Sequence, residues 1–307
     1  SDTTVTAGHS NILRVGNFAA VACGDDNFLK SSRGSLNPQP EWLPKLTDGS
    51  TLTMDAGWNN EIYCGAMGAT ADYNGTLIMN ARHQNIVTDT TPYYYYSAVC
   101  ANNDDMFSVH GGTPDVNEDK LTSVTMNAGE GNIIKSGGMG IKAANYGKVH
   151  VHTDHGNNEV EGGNAIYAAY FKYGDHMKHL DDWVVPFGYA EVVLSAPDGY
   201  NILTQTDEEV ARHLKQNTHE EPALILSESV SRVKLDASKD NVLQGYIGID
   251  GLYNRGFDTE KGVYLNAGGS NLVTVQKDGI AAEEGEVRLK AGKDNIVTIT
   301  GTNGAET

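Results

Sequence analysis

The chain has 307 residues, with 22 Lys and Arg against 40 Asp and Glu, a formal net charge of −18, and 39% hydrophobic residues. That charge argues against nucleic-acid and anionic-membrane partners, which bind through a positive footprint. The apolar share is enough to build a core, and no run of 18 apolar residues provides a membrane span.

A frame of the form x-V-x-L-x-A-G-x-x-N-x-I recurs nine times along the chain. Its Ala or Thr anchor falls at Ala7, Ala56, Ala81, Ala128, Thr153, Ala196, Ala237, Ala267 and Ala291. An Asn follows each anchor, at Asn11, Asn60, Asn85, Asn132, Asn157, Asn201, Asn241, Asn271 and Asn295. Each frame alternates with period two, which predicts a strand with one buried face. The inward positions are then Val124, Met126 and Ala128; Val192, Leu194 and Ala196; Val233, Leu235 and Ala237; Val263, Leu265 and Ala267; and Val287, Leu289 and Ala291. A second short strand, centred on Val21, Val99, Ile141, Ile166, Ile249 or Ile280, brings the chain round.

Anchor spacings of 49, 25, 47, 25, 43, 41, 30 and 24 residues have a minimum that suits one coil of a parallel β-solenoid. No helical period runs through the frame, and the shortest repeats are too short for a propeller blade of about 40 residues. A lone coil cannot bury its apolar face, so residues 1–307 are read as one cooperative domain of about nine rungs. The Asn column has two physical explanations: Asn tolerates a left-handed bend, and its amide can bond its counterparts on adjacent rungs.

The longer spacings imply insertions at 24–48, 102–120, 169–189, 213–229 and 252–261. All are read as leaving at the same place in the frame, and therefore from one corner of the solenoid. Insertions gathered on one face often mark a binding side. One is expected to be helical, because Thr206 and Glu209 form a capping-box pattern ahead of Val210, Ala211 and Leu214. Aromatic residues in or near the insertions, Trp42, Tyr93, Tyr94, Tyr95, Tyr96, Trp183 and Tyr189, are the candidate ligand contacts.

Other chemistry is sparser. His150 and His152 share one strand face, and the following insertion adds Asp175, His176, His179, Asp181 and Asp182. Two such histidines can chelate a metal when a loop supplies a third ligand, while a solvated polar face is the plainer reading. Acidic clusters at Asp25-Asp26, Asp104-Asp105 and Asp115 to Asp119 have the oxygen ligands for weakly bound calcium, with no EF-hand or nonapeptide β-roll motif. No other cofactor is expected. Asp25-Asp26 after Gly24 resembles the paired aspartates of polygalacturonases, and paired carboxylates serve glycoside hydrolysis. The other motifs of that family are missing, so no catalytic residue is assigned. Cys23, Cys64 and Cys100 have no metal or CxxC spacing and read as small core residues.

The segment VYLNAGGSNLVTVQKDGIAAEEGEVRLKAGKDNIVTITG, residues 263–301, resembles the repeats of bacterial autotransporter passengers and filamentous-haemagglutinin-like adhesins. The resemblance covers the regular frame and leaves the insertions unmatched. It implies a right-handed, single-stranded parallel β-helix, displayed outside a Gram-negative-type cell as part of a longer exported polypeptide. The expected role is that of a non-enzymatic adhesin or stalk segment whose insertion-bearing flank binds a host glycan or protein. Two alternatives stand beside it: a structural subunit that self-assembles into a filament or layer, and a polysaccharide-degrading enzyme.

Overall fold

Alternation of Ser123, Thr125 and Asn127 with Val124, Met126 and Ala128 produces a strand, Ser123–Ala128, whose residues are alternately half-exposed and buried. The computed structural model describes residues 2–23, 49–72, 74–102, 122–144, 147–169, 190–217, 221–228, 231–252, 262–283 and 285–301. Its strands form three parallel sheets. The first sheet has nine strands, from Asp2–Ala7 to Val287–Ala291, and the second has nine, from Asn11–Arg14 to Asn295–Ile299. The third has eight among the described residues, from Ala20–Cys23 to Ile280–Glu283. Each strand inside a sheet pairs with the strands one coil before and after it, and each end strand with one, so the chain winds into a parallel β-solenoid of nine rungs. With about 4.8 Å between rungs, the coil is about 40 Å long.

Stacking follows the sequence frame. Ala7, Ala56, Ala81, Ala128 and Thr153 lie in one register column, as do Ala196, Ala237, Ala267 and Ala291. Val124, Met126, Val192, Leu194, Val233, Leu235, Val263 and Leu265 are fully buried, as the alternation requires. Val287 and Leu289, in the last rung, are partly buried against the same core. Ile62, Val87, Ile134, Leu203, Leu243 and Val273 from the second sheet meet them across the coil interior. Each such side chain contributes about 1.5–3 kcal/mol on burial, and only because a neighbouring rung covers it.

Each column asparagine donates from Nδ2 to Oδ1 of the next. The file runs Asn11, Asn60, Asn85, Asn132, Asn158, Asn201, Asn241, Asn271 and Asn295, with donor–acceptor distances of 2.8–3.0 Å. The same Nδ2 atoms reach main-chain carbonyls on the next rung, such as Asp55 O from Asn11 at 3.0 Å and Asn80 O from Asn60 at 2.9 Å.

Four expectations require correction. Asn158, not Asn157, occupies the fifth place, because Ala128 pairs with Thr153 while Asn132 pairs with Asn158. The turn in that rung is one residue longer, and Asn157 instead accepts a hydrogen bond from Tyr200 N. The left-handed bend is not what the column uses. Among the described non-glycine residues only Asn74 has positive φ, at 60°, and it lies in a bare turn between the third and first sheets. In the third sheet the residue in register with Val99 and Ile141 is Ala20, through Ala69, and Val21 pairs with Thr70.

The fourth correction concerns the corner. Helix α1, Asp207–Gln216, is capped as expected: Glu209 N donates to Thr206 Oγ1 at 3.2 Å and Thr206 N donates to Glu209 Oε2 at 2.8 Å. However, α1 lies between second-sheet strand Asn201–Thr204 and third-sheet strand Ala223–Glu228. The span 213–229 thus holds the last helical turn and a complete rung strand. The other insertions, 24–48, 102–120, 169–189 and 252–261, fall between third-sheet and first-sheet strands. They lie outside the described residues except for Asn102, Ala169 and Leu252, which end third-sheet strands. Excursions therefore leave from two corners. Ala223–Glu228 is almost wholly buried on both faces, so it lacks the alternation that would have revealed it.

Candidate ligand-docking corner

Residues Thr90 to Tyr96 join second-sheet strand Gln84–Asp89 to third-sheet strand Ser97–Asn102. The tyrosine run therefore lies on the α1 corner, not on the corner that bears the other insertions. Its base is tied to the rod. Thr91 N donates to Asp89 Oδ1 at 2.7 Å and Ser136 Oγ donates to Asp89 Oδ2 at 3.0 Å. Gly138 N donates to the same Ser136 Oγ at 3.0 Å, and Tyr93 N donates to Thr91 Oγ1 at 3.2 Å. Met139 N closes the loop on Tyr96 O at 2.7 Å. Gly138 is demanded by this seating, since a Cβ there would lie 2.5 Å from both Tyr93 O and Tyr96 O. Asp89 is buried, and burial pushes its carboxyl up to about 6 against the opposing bonds from Thr91 and Ser136.

Helix α1 buttresses the loop from the other side. Gln216 accepts from Tyr94 N at 3.1 Å through Oε1 and donates to Pro92 O at 2.7 Å through Nε2, across more than 120 residues of chain. Arg212 donates from Nη1 to Gly137 O at 2.8 Å and pairs through Nη2 with Glu208 at 2.8 Å. The Tyr94 ring lies 5.1 Å from buried His213.

The rings form a continuous cluster. Tyr93 stacks on Tyr95 at 5.5 Å and 23°, Tyr95 meets Tyr96 at 4.7 Å, and Phe18 presents an edge to Tyr96 at 6.4 Å. Tyr93 and Tyr95 keep 48% and 47% exposure. Loss of water, followed by the neighbouring Tyr96 and Tyr93 phenols, pushes the Tyr95 phenol above its ordinary value. This arrangement is a fixed, amphipathic aromatic surface. The sequence pointed to the four tyrosines but not to Phe18, Asp89, Ser136, His213 or Gln216. The Ser136-Gly137-Gly138 run, a small-residue seat, was the one local signal.

The remaining candidates are dispersed. Trp42, Trp183 and Tyr189 lie outside the described residues, as do Asp25, Asp26, the acidic calcium clusters and the histidines of 169–189. His150 and His152 project from one strand, but each imidazole meets its own carboxylate: Glu191 at 2.7 Å and Asp154 at 3.1 Å. Glu191 also approaches Arg232 at 3.5 Å; although burial opposes it, these neighbours hold its carboxyl below the usual range. Among the described residues no three His, Cys, Asp or Glu side chains are grouped to hold a metal ion. Cys64 and Cys100 are buried, and burial pushes their thiols up to about 12 and about 11. They are core residues with little thiolate at neutral pH.

A shallow groove of about 830 Å³ follows the corner between the first and second sheets and includes Asp55, Asn80, Asn127 and His152. Asp55, Asn80 and Asn127 are hydrogen-bonded in series along the stack. Trp58, next in sequence to the lining residue Gly57, is sandwiched between His83 at 4.1 Å and His9 at 6.0 Å. Both of its ring faces meet imidazoles, whereas Tyr93 and Tyr95 stack on each other and meet their other neighbours at an angle. No helix among the described residues is long and apolar enough to cross a membrane. Comparison of the chain with protein-family models, curated proteins and solved structures gave no match.

Proposed function

We propose that the chain is a non-enzymatic segment of a bacterial cell-surface adhesin, a rigid rod that carries an aromatic docking patch for a host-surface glycan or protein. The repeat frame's resemblance to exported surface proteins supports the setting. The tyrosine corner carries the docking reading. Tyr93 and Tyr95 are about half exposed on a loop whose backbone is held at Thr91, Tyr93, Tyr94 and Tyr96. Exposed aromatics on a preorganised backbone lose little conformational freedom on contact, which favours their use as anchors. In this reading the α1 corner takes the role that the sequence assigned to the insertion-bearing flank.

Binding of the labelled chain to host epithelial cells tests the proposal. The variant carrying Tyr93→Ala and Tyr95→Ala should keep its melting temperature and lose at least ten-fold in cell binding, which corresponds to about 1.4 kcal/mol. Unchanged cell binding by that variant would remove the corner from the docking role.

A further inference from the structure

We infer that the tyrosine corner receives a neutral pyranose, and that it selects against sugars bearing a carboxylate or sulfate. The inference rests on the docking role proposed above and specifies its ligand class.

Ring geometry supplies the first argument. Contacts at 5.5, 6.0, 5.5 and 4.7 Å among the four tyrosines mean that the rings touch one another rather than enclose a space. A cage for an ammonium ion would need rings standing apart around a void. The rings instead form a packed cluster that is half exposed at Tyr93 and Tyr95. A pyranose matches such an amphipathic surface, offering a C–H face to exposed rings and hydroxyls to polar groups beside them. Gln216, which fixes the loop through both ends of its amide, keeps the cluster in place before any ligand arrives.

Charge supplies the second argument. Glu161, Glu208 and Glu209 stand around this corner, and Asp89 lies beneath it. The nearby cations are committed: Arg212 to Gly137 O and Glu208, and Lys135 to Glu161. Lys215 is the one Lys or Arg of the described helix outside an ion pair. Those pairs balance Glu161 and Glu208, so an anionic sugar would meet no cation but Lys215 among these residues, in a molecule already carrying −18. A neutral sugar needs no such partner.

Saturation-transfer NMR on the full chain provides the test. The probes are a set of neutral hexose and N-acetylhexosamine oligosaccharides, the same set capped with sialic acid, and an oligolysine peptide. Transfer to ring C–H protons is expected for the neutral set, with at least ten-fold weaker binding of the capped set. Tyr93→Ala with Tyr95→Ala should abolish transfer, whereas Tyr93→Phe with Tyr95→Phe should keep most of it. Tyr95→Ser alone should also reduce it, which gives a milder variant of the same test. Tighter binding of the capped sugars overturns the inference, as does oligolysine bound in their place or neutral-sugar binding that survives the alanine pair. If no sugar binds but the alanine pair still loses cell binding, the ligand class is wrong and the docking corner stands. If cell binding also survives, both fall.

Discussion

Asp89 is the buried carboxylate on which the tyrosine loop turns, and its two acceptor bonds come from neutral donors, Thr91 N and Ser136 Oγ. Its folded value of about 6 lies above the 3.8 of the free group, so the folded state holds the proton more tightly. Its contribution to stability is therefore complete below about pH 4 and is lost as pH rises through about 6, to at most about 3 kcal/mol. Asp89→Asn should remove that dependence. Thermal melting from pH 4 to 7 is expected to show the variant gaining on the native chain as pH rises; parallel curves would contradict the assignment.

Asn132 offers a second test at the same scale. It is fully buried at the middle of the amide file, whereas Asn295 is exposed at its end. Asn132→Ala leaves Asn158 Oδ1 without its donor and removes one acceptor of Asn85, at about 1–3 kcal/mol for each orphaned group. Asn295→Ala should cost less than about 1 kcal/mol, because water replaces the lost partner. Urea denaturation of the two variants checks the contrast.

At the scale of elements, the loop Thr90–Tyr96 and α1 brace each other, and Gly138 is the point at which the loop meets the rod. Gly138→Ala places a methyl 2.5 Å from two loop carbonyls, so the loop must lift, at about 1–3 kcal/mol. Hydrogen exchange should show lost protection confined to residues 90–96 and 138–139, with the strands of neighbouring rungs unchanged. What the sequence revealed at this scale depended on alternation. Strands such as Ser123–Ala128 and Ser231–Ala237 face core on one side and water on the other, and their period of two is legible. Ala223–Glu228 and Asn164–Ala169 are buried on nearly every residue, so nothing in their pattern separates inside from outside. Missing the first of these moved the α1 excursion to the wrong corner. The partnership of Gln216 with the tyrosine loop was beyond reading for another reason: it joins segments that only the winding of three further rungs brings together.

For the molecule as a whole, the solenoid is a series of nearly equivalent rungs, each stabilised by the pair it lies between. The period from Gly268 to Ala291, 24 residues, is a rung with no long excursion and lies beyond both the tyrosine loop and α1. A second copy inserted after Ala291 should fold, lengthen the rod by about 4.8 Å and leave the melting temperature equal or higher. Small-angle scattering and thermal melting check both outcomes. A collapsed or aggregated product would mean that the rungs are less interchangeable than their register implies.

The asparagine file also gives the rod a direction. Every side-chain amide donates toward the C-terminal rung, an orientation fixed by the carbonyls that share its hydrogens. Cut anywhere, the coil shows acceptors on one new surface and donors on the other, like the two halves of a press-stud. Shortening or extending by whole turns rejoins them, whereas a turn reversed end for end would set like against like. The rod's length can thus be adjusted in unit steps without redesign of the interior, and turns added outside the span from the tyrosine loop to α1 leave that corner unchanged.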